Sequence, residues 1–149
     1  LHQTMNAHPQ TLGWLNRALS HELSAVQQYQ AQSVLAKIWG ETSLANYLKQ
    51  EAVGELTHAE RLMEHLIMLG VAPNASALAP ARLGRTVDEL LQVNQQLELD
   101  AVHIYQEAVL HANRVRDTGF AALMHSILDE ERVHLTELDQ MMSERKNHV

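Results

Sequence analysis

Apolar residues recur every three or four positions along most of this chain, which is the period of an amphipathic helix. Glycines and prolines interrupt the pattern at a few places, notably Gly40 and Gly70. The pattern predicts helices over residues 9–39, 42–69 and 86–116, and a fourth that begins at residue 117 or 118. No segment alternates strictly between apolar and polar residues as a half-buried strand does. We therefore expect an all-α protein.

Local start signals support two of these helices. Asn6 is a candidate cap ahead of Pro9, a residue favoured in an opening turn. Thr86-Val-Asp-Glu89 has the spacing of a capping box at the start of the third helix. The connection over residues 71–85 is the only long one and holds Pro73 and Pro80. Long helices with short, long and short connections predict a single domain, residues 1–149, folded as a four-helix bundle with one crossover between helices 2 and 3.

Each predicted helix carries a carboxylate on its apolar stripe, where a leucine would otherwise stand. The first stripe holds Glu22 between Leu19 and Tyr29. The second and fourth stripes also hold histidines, in the motifs Glu55-Leu-Thr-His58 and Glu131-Arg-Val-His134. Glu and His three residues apart share one face of a helix and can reach the same ion.

An internal repeat connects these residues. Glu22 precedes Glu55 by the same number of residues as Glu98 precedes Glu131. The nine residues that begin at Glu22 are identical at six of nine positions to the nine that begin at Glu98. Each half of the chain therefore supplies two glutamates and one histidine, which is far more specific than an isolated Glu-x-x-His pair.

Burying four carboxylates together would be costly without cations to compensate their charge. Two divalent metals would supply that compensation. Carboxylate oxygens with one imidazole per metal favour Fe, with Mn as the alternative. By symmetry we expect Glu55 and Glu131 to bridge the ions and Glu22 and Glu98 to bind one ion each, a ligand set known from ferritin-like bundles.

Other polar residues are weaker candidates. Tyr29 and Tyr105, two turns beyond Glu22 and Glu98, either hydrogen-bond to the carboxylates or are core aromatics. Glu51 and His65 share the second stripe but lie away from the matched positions. The remaining candidates are expected on solvated helix faces or off the stripes: Glu60, Glu64, Glu130 and Glu137, and His21, His103, His111 and His125.

Composition excludes several classes of function. The formal net charge is −7 and there is no basic stripe, so nucleic acid is not an expected partner. There is no cysteine, which excludes disulfides and thiolate sites and fits a cytoplasmic location. No apolar run is long enough to cross a membrane, and the first residues lack the pattern of a signal peptide.

The motifs His21-Glu22-Leu-Ser-Ala-Val-Gln-Gln-Tyr29, Glu51-x-x-x-Glu55-x-x-His58, Leu97-Glu98-Leu-Asp100 and Asp129-Glu130-Glu131-x-x-His134 resemble those of bacterioferritins in order and spacing. The resemblance extends over residues 12–142. It implies a ferroxidase, in which a di-iron centre oxidises Fe(II) with dioxygen or peroxide in iron storage or detoxification. It also implies that Glu22, Glu55, His58, Glu98, Glu131 and His134 are the ligands and the catalytic residues.

The chain departs from the family in three ways. Bacterioferritins bind haem between paired subunits through a methionine at the position of Leu56, so haem is not expected. Gln50 and Gly54 are poor ligands for the additional inner-surface iron site of some members. The sequence ends at Val149, shortly after the predicted fourth helix, so the family's short fifth helix is not expected. We therefore expect a homodimer paired through the first two helices, with a larger shell as the alternative assembly.

Two other functions stay open on the sequence. One is a rubrerythrin-like peroxidase or a di-iron or Mn oxygenase, which would need an electron donor on a separate protein because the chain has no cysteine. The other is a non-enzymatic metal-binding bundle or a partner subunit. An oxygenase needs an apolar substrate pocket beside the metals, whereas a ferroxidase needs only access for ions and oxygen.

Overall fold

The structure is a computed structural model that describes residues 7–75 and 77–147. This part of the chain contains four α-helices and no strand: α1 (Pro9–Ile38), α2 (Thr42–Met68), α3 (Val87–Arg114) and α4 (Thr118–Asn147). The predicted helices are confirmed, and their ends agree to within two residues. Over the same residues, no helix combines the length and the apolar character that crossing a membrane requires.

The helix starts differ in detail from the prediction. Nδ1 of His8 accepts a hydrogen bond from the backbone N–H of Gln10 (3.1 Å) at the start of α1, whereas the candidate cap Asn6 lies outside the described residues. Thr86 caps α3, since its hydroxyl accepts from the Glu89 N–H (3.1 Å). The Glu89 carboxylate accepts from the N–H of Arg85 (2.7 Å), one residue earlier than a capping box would have it.

The two short turns are related by the internal repeat. Gly40 ends α1 with φ at +79°, the left-handed conformation that closes many helices. Arg116 occupies the equivalent place after α3 with φ at +57°. The next residues, Glu41 and Asp117, each donate a backbone hydrogen bond to the last helical turn. The same turn is therefore built once with glycine and once with a residue whose Cβ makes the left-handed conformation unfavourable.

The structure divides into two compact units, each a hairpin of two helices. In the first unit, residues up to Leu83, α1 packs against α2. The largest fully buried apolar side chains on these helices are leucines: Leu15, Leu19, Leu48, Leu62 and Leu66. The Ser33 hydroxyl also donates to the carbonyl of Ala45 (2.8 Å), which ties the end of α1 to the start of α2.

A strap of non-helical chain, residues 71–75 and 77–83, is fastened to α1 by three polar side chains. The N–H of Ala79 donates to the hydroxyl of Ser24 (2.9 Å), and the N–H of Arg82 donates to Oε1 of Gln28 (3.2 Å). Nε2 of Gln32 donates to the carbonyl of Arg82 (2.8 Å). Ser24, Gln28 and Gln32 are all buried and follow one face of α1 at intervals of four residues.

In the second unit, which begins at Gly84, α3 packs against α4. Its fully buried apolar side chains include Leu90, Leu91, Tyr105, Phe120, Met124, Ile127 and Leu138. His111, expected off the apolar stripe, is fully buried and meets the ring of Phe120 edge to face, with centroids 6.2 Å apart. Asp117 starts α4 by accepting from the N–H of Phe120 (3.0 Å).

Candidate metal centre

The first hairpin brings together Glu22, Glu55 and His58, which we call the first triad. α1 supplies Glu22, and α2 supplies the other two, three residues apart on one face. Nδ1 of His58 lies 3.5 Å from Oε2 of Glu22 and 3.5 Å from Oε1 of Glu55. One ligand atom from each residue lies within 4.8 Å of those of the others. Both predicted carboxylates of this half therefore converge on one imidazole nitrogen.

The second hairpin brings together Glu98, Glu131 and His134, the second triad. α3 supplies Glu98 and α4 supplies the Glu-x-x-His pair. Nδ1 of His134 lies 3.3 Å from Oε1 of Glu131. One ligand atom from each of the three residues lies within 4.8 Å of the others. The two halves of the repeat thus build the same kind of donor group.

The separations between these atoms suit a shared cation. Ligands bound at about 2.1 Å, with angles near a right angle or a tetrahedral angle, lie roughly 3.0–3.5 Å from each other. The imidazole-to-carboxylate distances of 3.3 and 3.5 Å fall in this range. These distances exceed the usual length of an N–H···O hydrogen bond, which is about 2.7–3.2 Å between donor and acceptor. In both triads Nδ1 is therefore the nitrogen that could bind a metal.

The four glutamates of the two triads are almost fully buried, which makes their negative charge costly. Glu22 and Glu55 have 0% and 1% of their surface exposed, and Glu98 and Glu131 have 1% and 0%. Each triad thus contains two buried carboxylates within 4.8 Å of each other, which is unfavourable without a compensating cation. The donors are hard oxygens and imidazole nitrogens, which bind Fe(II) and Mn(II) well and soft metals poorly.

The weaker sequence candidates have different outcomes. Tyr29 and Tyr105 are buried, with 2% and 0% exposure, each two turns beyond the glutamate of its helix. Glu51 is buried and His65 is half-buried. Among residues 7–75 and 77–147, neither Glu51 nor His65 joins a group whose ligand atoms lie close enough to share an ion.

The six candidate ligands lie in a chain that matches a known family. The ferritin-like domain model matches residues 13–146. A bacterioferritin of Brucella melitensis is 31% identical over 138 residues, which cover 93% of this chain and 86% of the relative. A bacterioferritin of Streptomyces coelicolor is 30% identical over 138 residues, which cover 93% of this chain and 83% of the relative.

A solved structure of Rhodobacter capsulatus bacterioferritin has the same fold. It superposes with a TM-score of 0.93 at 28% identity and covers 96% of this chain and 89% of that one. That protein is described with a metal-free dinuclear site and a haem iron in a crystallographic special position. The likeness confirms the all-α four-helix bundle that the sequence predicts. The chain therefore belongs to the ferritin-like family and, within it, to the bacterioferritins.

Proposed function

We propose that this chain is a ferroxidase of the bacterioferritin type, which oxidises Fe(II) to Fe(III) with dioxygen or peroxide in iron storage or detoxification. The observation that carries the proposal is the repeated triad: two glutamates and one histidine converge in each hairpin, and the four carboxylates are almost fully buried. Iron is the substrate of this reaction, and two Fe ions bind per chain. Mn is the alternative metal.

The same six residues are the proposed ligands and catalytic residues. The resemblance to the family implies that the two triads serve one dinuclear centre. Glu55 and Glu131 bridge the ions, since each lies three residues before a ligand histidine and within 3.5 and 3.3 Å of its Nδ1. Glu22 and Glu98 bind one ion each. The single ferritin-like domain expected from the sequence accords with a family match that runs through both hairpins.

This donor set favours oxidation of the bound metal. Fe(III) is a smaller, harder and more highly charged ion than Fe(II), so buried carboxylates stabilise it more. With peroxide, two Fe(II) ions give up one electron each, and the peroxide takes both electrons and two protons to leave two waters. Two ions bound by the triads of one dinuclear centre would let one oxidant collect both electrons.

Metal stoichiometry in Glu131→Ala tests the bridging role. We expect this variant to lose the metal pair, because a bridging carboxylate serves both ions. Glu130→Ala is the matched control, since Glu130 is the exposed neighbour on α4 and its loss changes the net charge equally. Two tightly bound ions per chain in Glu131→Ala, measured after dialysis by elemental analysis, would contradict the bridging assignment.

We also propose that this chain does not bind haem through position 56. Leu56 lies on α2 with 43% of its surface exposed, and a leucine side chain has no atom that can ligate iron. Haem added to the protein should give no Soret band of a ligated haem, whereas Leu56→Met should create one. Failure of Leu56→Met to give such a band would contradict the proposal that position 56 decides whether haem is ligated.

The proposed assembly is a homodimer that pairs through the outer faces of α1 and α2. These faces expose Val34, Ile38 and Ile67, at 55%, 76% and 47%, while Trp39 and Tyr47 are half-buried there. Light scattering at micromolar concentration distinguishes this dimer from a shell, and a shell-sized particle would contradict the dimer as the final assembly. A cytoplasmic location accords with the absence of cysteine.

A further inference from the structure

One fully buried histidine belongs to neither triad. His111 lies in the last turn of α3 with 0% of its surface exposed, and it follows Glu98 by more than three helical turns. Its ring meets the ring of Phe120 edge to face, with centroids 6.2 Å apart and an interplanar angle of 73°. The proposed metal chemistry does not use this imidazole, although it is a titratable group in the interior of the second hairpin.

The internal repeat shows what this position requires. It places Leu35 where the second hairpin has His111. A neutral imidazole can fill such an inward position, but a protonated one would carry its charge away from water, which is unfavourable. Because an imidazole in water changes charge near pH 6.5 (about), His111 differs from a leucine most strongly in mild acid.

The turn between α3 and α4 is built against this residue. The N–H of Val115 donates to the carbonyl of His111 (3.0 Å), and Phe120, its ring partner, stands in the first turn of α4. The N–H of Phe120 donates to Oδ1 of Asp117 (3.0 Å). Between the two helices Arg116 has φ at +57°, which is unfavourable for a residue with a Cβ. The packing of the two rings therefore holds closed a turn whose backbone is strained.

The charged groups of the second hairpin near His111 act in both directions. Glu107, half-buried, precedes it by one turn and would favour a charged imidazole, whereas the exposed Arg114 follows it by one turn and would oppose one. Oδ1 of Asp117 already accepts from an N–H of α4, and His125, further along α4, is exposed. These opposed charges leave burial of the ring as the deciding cost.

We propose that His111 is a pH-sensitive latch, which holds the start of α4 against the end of α3 while it is neutral and lets the turn over residues 114–117 open when it is protonated. In the open turn the imidazole meets water and takes up a proton readily, whereas the closed turn accommodates the neutral ring. The closed turn is therefore fully stable above about pH 6.5 and loses stability as the pH falls through that value. Acid thus loosens the second hairpin at the end remote from its triad.

Hydrogen exchange of the full chain at about pH 7.5 and about pH 5.5, corrected for intrinsic exchange rates, measures this opening. The reporting amides are those of Val115, Asp117 and Phe120, which are all hydrogen-bonded in the closed turn. With an imidazole of ordinary pKa in the open state, about 6.5, the opening equilibrium constant should rise about tenfold between the two pH values. The amide of Leu90, bonded to the carbonyl of Thr86 (2.9 Å) at the other end of the hairpin, should not share this rise.

Two variants assign the effect to one imidazole. His111→Leu introduces the residue that the repeat places there and should abolish the tenfold change. His103→Gln is the matched control, because His103 is exposed on the same helix and the repeat places Gln27 at its position. The control also loses one imidazole, yet it should keep the tenfold change.

Three results would overturn the inference: an opening constant that does not change with pH in the unchanged protein, a tenfold change that survives in His111→Leu, or an equal change at the Leu90 amide. If His111→Leu does not fold, an NMR titration of the His111 ring in the unchanged protein decides. A ring that protonates near pH 6.5 (about) while the turn amides stay protected would contradict the latch. None of these measurements involves metal, so the latch and the proposed ferroxidase can fail separately.

Discussion

Replacing Glu55 by glutamine should move the stability of the metal-free and the metal-loaded protein in opposite directions. Glu55 and Glu22 are 1% and 0% exposed, and their ligand atoms lie within 4.8 Å of each other. Two unit charges at this distance repel by about 3.5 kcal/mol at an effective dielectric constant of about 20. Glutamine keeps the shape of the side chain and removes the charge.

Because part of the repulsion is already relaxed by local water, we expect metal-free Glu55→Gln to be more stable than the unchanged protein by about 1–3 kcal/mol. With metal the order reverses. The unchanged protein gains about 2.7 kcal/mol at a hundredfold excess over Kd, and the variant loses most of this gain with its bridging ligand.

Urea unfolding at pH 8, with and without saturating Mn(II), measures all four free energies. Glu60→Gln is the control, since Glu60 is exposed on the same helix and should change the free energy of unfolding by less than about 0.5 kcal/mol in both states. A metal-free Glu55→Gln that is less stable than the unchanged protein would refute the crowding of charges. An equal stabilisation of both proteins by Mn(II) would refute the role of Glu55 as a ligand.

Three further predictions concern turns and helix ends outside the triads. Gly84→Ala should lower the free energy of unfolding by about 2–4 kcal/mol in urea titrations, because Gly84 has φ at +81° and an added Cβ would lie 2.6 Å from the backbone nitrogen of Leu90. Gly13→Ala should instead raise the free energy of unfolding by about 0.5–1 kcal/mol, because Gly13 lies inside α1 with open space around the added Cβ. Arg116→Gly should raise the melting temperature, through about 1 kcal/mol of relieved strain, because glycine adopts φ near +57° freely; an unchanged or lower melting temperature would contradict this reading of the turn. The backbone N–H of Arg85, and then its side chain, lower the pKa of Glu89 below its ordinary value of 4.5. This contribution to stability is therefore complete above that value and is lost as the pH falls through the lowered pKa. An NMR titration of the Glu89 carboxyl should show a midpoint below 4.5, and a midpoint at or above it would contradict the contact.

The helices and their ends could be predicted from the sequence because they depend on local signals. Thr86 caps α3 wherever that helix packs, and Gly40 ends α1 by its own backbone conformation. The four helices themselves could also be predicted, since the apolar residues of each keep one helical period over its whole length. The grouping of the candidate ligands into triads followed from the repeat, which turns an ordinary Glu-x-x-His spacing into a matched pair.

Contacts made across long stretches of chain were missed. Ser24, Gln28 and Gln32 form a polar row along α1 that the sequence alone does not distinguish from a solvated face. In the structure this row binds the strap. The repeat contains a signal for it, because the equivalent residues Asp100, Ile104 and Ala108 do not form a polar row. A position at which the two halves of the repeat differ thus indicates a residue whose contacts occur in one half only.

Buried His111 was missed for a related reason. It is one of ten histidines, and its neighbours on α3 give no sign that it faces inward. The repeat relates it to Leu35, an apolar residue, which indicates an inward position. The side chain of His134 is 21% exposed and that of His58 is 3% exposed, a difference that could not be read from the sequence at all, since it depends on how closely the surrounding side chains pack.

Stopped-flow oxidation of Fe(II) added to metal-free protein, followed by a count of the iron retained per chain, tests the proposed ferroxidase most directly. We expect rapid oxidation that saturates at two Fe(II) per chain in its first phase, with the iron retained. Glu131→Ala should lose this phase, and Glu130→Ala should keep it. Oxidation no faster than in buffer, or a fast phase that survives in Glu131→Ala, would contradict a di-iron ferroxidase built on these triads.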